Sequence, residues 1–289
     1  MRAALLGIVS LAVAAGHSSP AAQAAEALHS AELSFGVFAL GAQGLDIVLR
    51  LERENGTLQV DTAMRTTGPL NLLMKFESKT LVAAQVHDHG LQPIHYLMES
   101  DGRWSKRSIR MTWGPDGLPQ AVVQPSPEDE EHDREPVPDA LKYNTLDPIT
   151  AVATRALRGS SEPPCHGSDP VFDGRRRYNL HYRPVGPEEL KPHNRSAYAG
   201  PAFRCMTWLE PVAGYTRSWL AENRDAEQRM THIWLARPPG TAVWLPVQIE
   251  SSFALGSSTG YIAGARLNGR DWLEPLGVIR AEMPQNIVP

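Results

Sequence analysis

The 289-residue chain carries 28 basic and 32 acidic residues, a net charge of −4, with 42% hydrophobic residues and 24 prolines. The mildly acidic balance excludes non-specific nucleic-acid binding, which needs clustered cations against phosphate. The prolines argue for many turns and few long helices, and the length allows one large domain or two small ones, with a sizeable core either way.

The N-terminus has the parts of a secretory signal. Arg2 supplies the positive region, residues 3–15 are an apolar run, and Ala22-Gln23-Ala24 fits the small-x-small cleavage pattern. Residues 1–24 are therefore expected to be removed, leaving 25–289 as a single β-rich domain. The apolar run is too short to cross a bilayer as a helix and no later run is long enough, so a soluble mature protein without a transmembrane span is expected.

Residues 33–40 and 45–51 read as strands joined by Gly41-Ala42-Gln43-Gly44, with Ile47, Leu49 and Leu51 in the alternation of a half-buried strand. Asn55-Gly56 signals a hairpin before residues 57–66. A short helix or link over 70–76 precedes strands at 79–87, 94–99 and 107–113, and the turn spacing over 33–124 predicts an antiparallel meander of about six or seven strands. Residues 125–138 are acidic and proline-rich, and are expected to form a solvated loop outside the core. Asp147-Pro148 starts a helix running to about residue 158: Asp147 caps the first turn, Pro148 suits the first helical position, and Gly159 ends the run. Strands follow at 175–183, 202–209, 231–236, 243–253 and 260–268, making the chain mainly β with one short helix.

Cys165 and Cys205 are the only two cysteines. In an exported chain, without a C-x-x-C pair or further metal ligands, a structural disulfide is expected. His87 and His89, with His95 following, are weak metal candidates, because His89 stands at a turn where strand geometry fails. Gly256-Ser257-Ser258-Thr259-Gly260 matches the nucleophile-elbow pattern, but that motif needs a strand–turn–helix corner and the segment reads as a hairpin loop between strands. No catalytic residue is assigned, and no cofactor. Arg175-Arg176-Arg177 could bind a carboxylate or phosphate headgroup by forked hydrogen bonds, or pair with acids such as Asp173. If these residues are in a strand, Arg175 and Arg177 share one face. Trp208, Trp219, Trp234 and Trp244 fill core or line an aromatic site.

Together, Leu146-Asp147-Pro148-Ile149-Thr150, Val171-Phe172-Asp173-Gly174-Arg175-Arg176-Arg177-Tyr178-Asn179-Leu180 and Pro201-Ala202-Phe203-Arg204-Cys205 resemble domain-of-unknown-function family 3108, exported proteins of Gram-negative bacteria. Pro211 to Tyr215, Trp244 to Glu250 and Arg65-Thr66-Thr67-Gly68 extend the resemblance over about 33–268. It implies a large curved antiparallel sheet, an open barrel or spiral similar to periplasmic lipoprotein carriers, and no known activity. The expectation is a non-catalytic periplasmic protein supporting the cell envelope. It would bind a lipid, glycan or protein component on the concave face of the sheet, with Arg175, Arg177, Trp208 and Trp234 as ligand-binding residues. A histidine-based metal module and a Ser258 hydrolase are the alternatives.

Overall fold

The computed structural model describes residues 26–103, 106–126, 133–157, 164–222, 230–253 and 256–276. The expected signal sequence and the acidic run Glu128 to Glu131 lie outside the described residues.

The N-terminal half is a meander of seven strands: β1 (Ser30–Ala39), β2 (Ala42–Glu54), β3 (Thr57–Thr66), β4 (Phe76–His87), β5 (Gly90–Gly102), β6 (Lys106–Trp113) and β7 (Pro119–Gln124). A six-residue helix, α1 (Gly68–Leu73), connects β3 to β4. Helix α2 (Pro148–Ala156) precedes the second meander of β8 (Gly167–Phe172), β9 (Arg177–Leu190), β10 (Gly200–Ala213), β11 (Thr231–Ala236), β12 (Leu245–Phe253) and β13 (Gly256–Leu267). Helix α3 (Arg217–Glu222) follows β10, and β14 (Arg270–Leu273) pairs with β13. The two meanders join where β1 pairs with β13, giving one antiparallel sheet in the order β7 to β1, then β13 down to β8. The sheet is open, with β7 and β8 as its unjoined ends.

Register explains the burial. Met111, Tyr96, Val82, Val60, Leu51, Ala31 and Leu267 are successive cross-strand partners, and all are buried. Such a row defines the inner face, because side chains alternate across a strand. Gly260, Ile249, Ile233 and Cys205 continue that face through the second meander. Register slips at Ala83/Ala84, Arg204/Cys205, Pro211/Ala213 and Trp234/Leu235 each lie at or opposite a proline: Pro93, Pro184, Pro211 and Pro246. Proline cannot donate to a ladder, and a bulge is where a strand tolerates it while bending.

Helix α2 spans the gap between the sheet's ends. Ala153 joins the main core with Leu91 and Tyr96, while Ala151 packs with Val171 and Tyr178 of the other half. Thr145 O accepts from Trp113 Nε1 at 3.0 Å, Asn144 N donates to Gly117 O at 3.1 Å, and Leu146 exchanges backbone hydrogen bonds with Pro170 and Phe172 of β8. Gly174 (φ +92) lets the β8–β9 turn rest on β6, since a Cβ there would approach Ile109 Cγ2 to 2.6 Å. Among the described residues, side chains of both meanders and Ala153 of this helix form one buried core cluster.

Several sequence expectations move. Gly256 to Gly260 is not a hairpin loop but the first part of β13, with Ser258 paired to both Ser251 and Ala39. The β1–β2 turn is Leu40-Gly41, so Ala42 to Gly44 belong to β2. Val137, inside the proline-rich segment assigned to solvent, is buried in the core. Arg175 and Arg176 precede β9, so strand alternation does not apply to them.

Asp147 caps α2, accepting from Ile149 N at 2.9 Å and Thr150 N at 2.8 Å, and it is fully buried. Burial pushes its carboxyl up to about 6, outweighing the hydrogen bonds from Thr150 and Ile149 that favour the anion. A carboxyl raised above its unfolded value of 3.8 binds its proton more tightly in the folded state, so stability falls as pH rises through that window and levels off above it. Asparagine also caps a helix. Asp147→Asn should therefore gain on the parent by about 3 kcal/mol between about pH 4 and pH 7. Urea titrations at both pH values measure this, and a pH-independent gap would show that Asp147 ionises normally. A second test concerns the disulfide Cys165–Cys205, which spans 40 residues with Cα atoms 5.7 Å apart. It ties the segment before β8 to the inner face of β10, and Cys165→Ala/Cys205→Ala should lower the unfolding free energy by roughly 3–4 kcal/mol in urea melts.

Candidate functional site

The expected ligand-binding residues separate into a structural group and a surface group. Arg175 is 7% exposed in the β8–β9 turn. Its Nη2 donates to Pro125 O at 3.1 Å, linking the end of β7 to that turn. Asp173 Oδ1 accepts from the amides of Arg175 and Arg176, and its Oδ2 pairs with the Arg176 guanidinium at 2.8 Å. The pairing with Asp173 anticipated from the sequence is thus Arg176's, and Arg175 is part of the seam between the sheet's ends. Trp234 is 4% exposed. Its ring lies under Arg204 at 4.9 Å and its Nε1 donates to Glu188 Oε2 at 3.0 Å.

Arg177 and Trp208 meet elsewhere. In β10, Trp208 and Glu210 lie on the face opposite Cys205, which is the outer face. Across the β9–β10 ladder Trp208 pairs with His181, and Glu210 with Asn179. The Trp208 and His181 rings stack with centroids 5.0 Å apart and planes 9° from parallel. Glu210 Oε2 lies 2.9 Å from His181 Nε2 and accepts from Asn179 Nδ2 at 2.7 Å. Arg177 donates from Nη1 to Asn179 Oδ1 at 2.9 Å and from Nε to Leu141 O at 3.1 Å. The result is an outward-facing line of guanidinium, amide, carboxylate and imidazole ending on an indole. Glu210 is about half exposed, and hydrogen bonds from Asn179 and then His181 hold its carboxyl below its ordinary pKa. Sequence reading found Arg177 and Trp208 but missed Asn179, His181 and Glu210. Their signal was the pair of i, i+2 spacings, Asn179/His181 and Trp208/Glu210.

The metal candidates are not brought together. His87 ends β4 with Nε2 3.1 Å from Gln92 Oε1, and His89 is exposed in the following turn. His95 is five residues into β5, roughly 16 Å along the strand, and burial lowers its pKa. Among the described residues no group of three or more His, Cys, Asp or Glu is placed to hold a metal ion. Ser258 lies in β13, paired on both sides, so the strand–turn–helix corner of a nucleophile elbow is not formed. A cavity of about 530 Å³ is lined by Glu77, Lys79, Glu99, Asp101, Lys106 and Arg107, among others. No helix among the described residues is long and apolar enough to cross a membrane.

Residues 31–263 match the family described as "Protein of unknown function (DUF3108)". No curated protein matches the chain. The crystal structure of a beta-barrel-like protein of domain of unknown function DUF1849 from Brucella abortus is similar at 8% identity, covering 83% of this chain and 98% of that chain with a TM-score of 0.46.

The contrast between the two arginines is testable. Arg175→Ala should lower the unfolding free energy by roughly 2–3 kcal/mol, because it removes a buried hydrogen-bonded guanidinium. Arg177→Ala should cost under about 1 kcal/mol. Urea melts of both variants check this, and equal small losses would remove Arg175 from the seam.

Proposed function

This chain belongs to the DUF3108 family of proteins of unknown function, and we propose that it is a non-catalytic periplasmic protein that supports the envelope by binding a glycan on the outer face of β9–β10. The observation that carries this reading is the Trp208–His181–Glu210–Asn179–Arg177 array on the outer surface of a sheet whose inner face is already filled. A lipid chain needs an apolar cavity, whereas the inner face carries the core cluster with Ala153 of α2 packed into it. A sugar instead presents C–H faces that stack on an aromatic ring and hydroxyl edges that bond to carboxylate, amide and guanidinium groups. The disulfide supports an oxidising compartment. His181 has Glu210 and Trp208 as its partners, an arrangement that orients the ring without activating a nucleophile.

The test is isothermal titration with soluble N-acetylglucosamine oligomers and with neutral hexose oligomers. The parent should bind one class, and Trp208→Ala should weaken that binding about three- to tenfold, the loss of one stacking contact, with an unchanged melting temperature. Glu210 is held below its ordinary pKa, so its hydrogen bonds persist through neutral pH and fail only as pH falls through that lowered value. Binding should be flat near neutrality and decline in acid. No binding to either class, or full binding by Trp208→Ala, would sink the reading.

A further inference from the structure

We propose that the rim carrying Leu40 and α1 docks on the surface of a lipid bilayer. Leu40 is 84% exposed, Leu72 81%, Leu73 70% and Met74 40%, and α1 buries none of its residues. These side chains share one end of the sheet. Strand β1 ends at Ala39, β3 at Thr66, and β4 starts there at Phe76. Thr67 N donates to Gly44 O at 3.0 Å and Leu70 packs on Gly44, placing α1 against β2 within roughly 10 Å of the Leu40-Gly41 turn.

The Leu40 turn is unusual within this chain. Three hairpins have two-residue loops with both residues at positive φ: Leu40-Gly41 (50°, 84°), Asn55-Gly56 (50°, 75°) and Asn268-Gly269 (48°, 78°). Asparagine suits the first position because it tolerates left-handed backbone, whereas leucine there is strained. Among the described residues, only the rim turn places a large apolar side chain in that position, and it points that side chain into solvent. Strain combined with exposure of an apolar group marks a surface shaped for contact.

The setting selects the occupant. Arg195 donates to Gly41 O at 2.9 Å, and Arg103 donates to Leu73 O at 3.1 Å and Leu72 O at 3.5 Å, so an arginine braces each leucine-bearing turn. Lys75 follows Met74 directly and is exposed. Apolar tips beside cations suit acyl chains beneath anionic headgroups. The four side chains offer about 250–500 Å² in all, less than the roughly 600–1,000 Å² that each partner of a stable protein interface buries but enough for shallow insertion. A second copy of the chain is therefore the weaker occupant.

The experiment is co-sedimentation of the full chain with phosphatidylethanolamine–phosphatidylglycerol vesicles at low and high salt. Leu40→Asn is the decisive variant, because it installs the residue used in the other two turns. It should keep or raise the melting temperature while lowering vesicle affinity about tenfold, the value of one inserted leucine. Leu72→Gln/Leu73→Gln should lose about a hundredfold, and high salt should weaken the parent. Trp208→Ala should bind vesicles normally, so this result stands apart from glycan binding. No binding by the parent, unchanged binding by the leucine variants, or a leucine-dependent dimer in lipid-free light scattering would overturn the proposal.

Discussion

The constraint on which the rest of this molecule depends is that the two ends of its sheet do not pair. Joining β1 to β13 turns two meanders into one surface, but β7 and β8 are left as edges on either side of a gap. An open edge exposes unpaired backbone groups, and an open gap would admit water to the inner face. The chain fills the gap with its own connection. Residues 144–147 bridge the β6–β7 turn to β8, and α2 then lies with one side on each half of the sheet. Asp147 stands where bridge becomes helix, which is why a carboxylate is buried there: it satisfies amides at the helix start that have no other acceptor. Arg175 secures the far side of the same gap by holding Pro125.

This closure has a functional consequence. A barrel-like sheet with an empty interior can hold apolar cargo, whereas here α2 packs its Ala153 into the core cluster of the inner face. The proposed binding surfaces accordingly lie on the outer wall and at the rim. On the wall, strand pairing sets rigid spacing, so Trp208, His181, Glu210 and Asn179 are held by two neighbouring strands rather than by a mobile loop.

Legibility followed the range of the interactions. The first meander was readable because its hairpins are short, Asn55-Gly56 announces one turn directly, and its strands alternate. The helix start was readable because Asp147-Pro148 is a local signal, and the Cys165–Cys205 disulfide because there was no other cysteine for either to join. The second meander was harder. Strand β8 contains Pro170, and β9 runs through Pro184 and Pro187, residues that normally end a strand. The glycine–serine run at 256–260 has loop composition, yet β1 and β12 flank it and supply through the backbone what its side chains lack. The outer array was hidden for a related reason. Asn179 and Glu210 are 31 residues apart, and bulges at Arg204/Cys205 and Pro211/Ala213, one on either side of the array, offset a register counted from sequence. Local composition carries no information about that offset.

The strand directions add a final geometric link. β9 begins at Arg177 and β10 finishes at Ala213, at the end of the sheet where β1 finishes at Ala39 and β3 at Thr66. The outer array therefore lies toward the same end of the sheet as the leucine-bearing rim, with β11, β12 and β13 between β10 and β1: Asn179 is two residues from the start of β9, and Glu210 three from the end of β10, roughly 7–10 Å. The two surfaces differ in chemistry but share one end. The rim presents apolar tips that gain from leaving water, and the β9–β10 wall presents polar groups with a single aromatic plate that stay solvated. A molecule seated by that rim would hold its polar array just outside the headgroup layer, facing along the surface and not into it. The filled interior and the leucine in an asparagine's place fit one arrangement, with the apolar contacts at the rim, the polar contacts on the outer wall and the inside serving to keep both rigid.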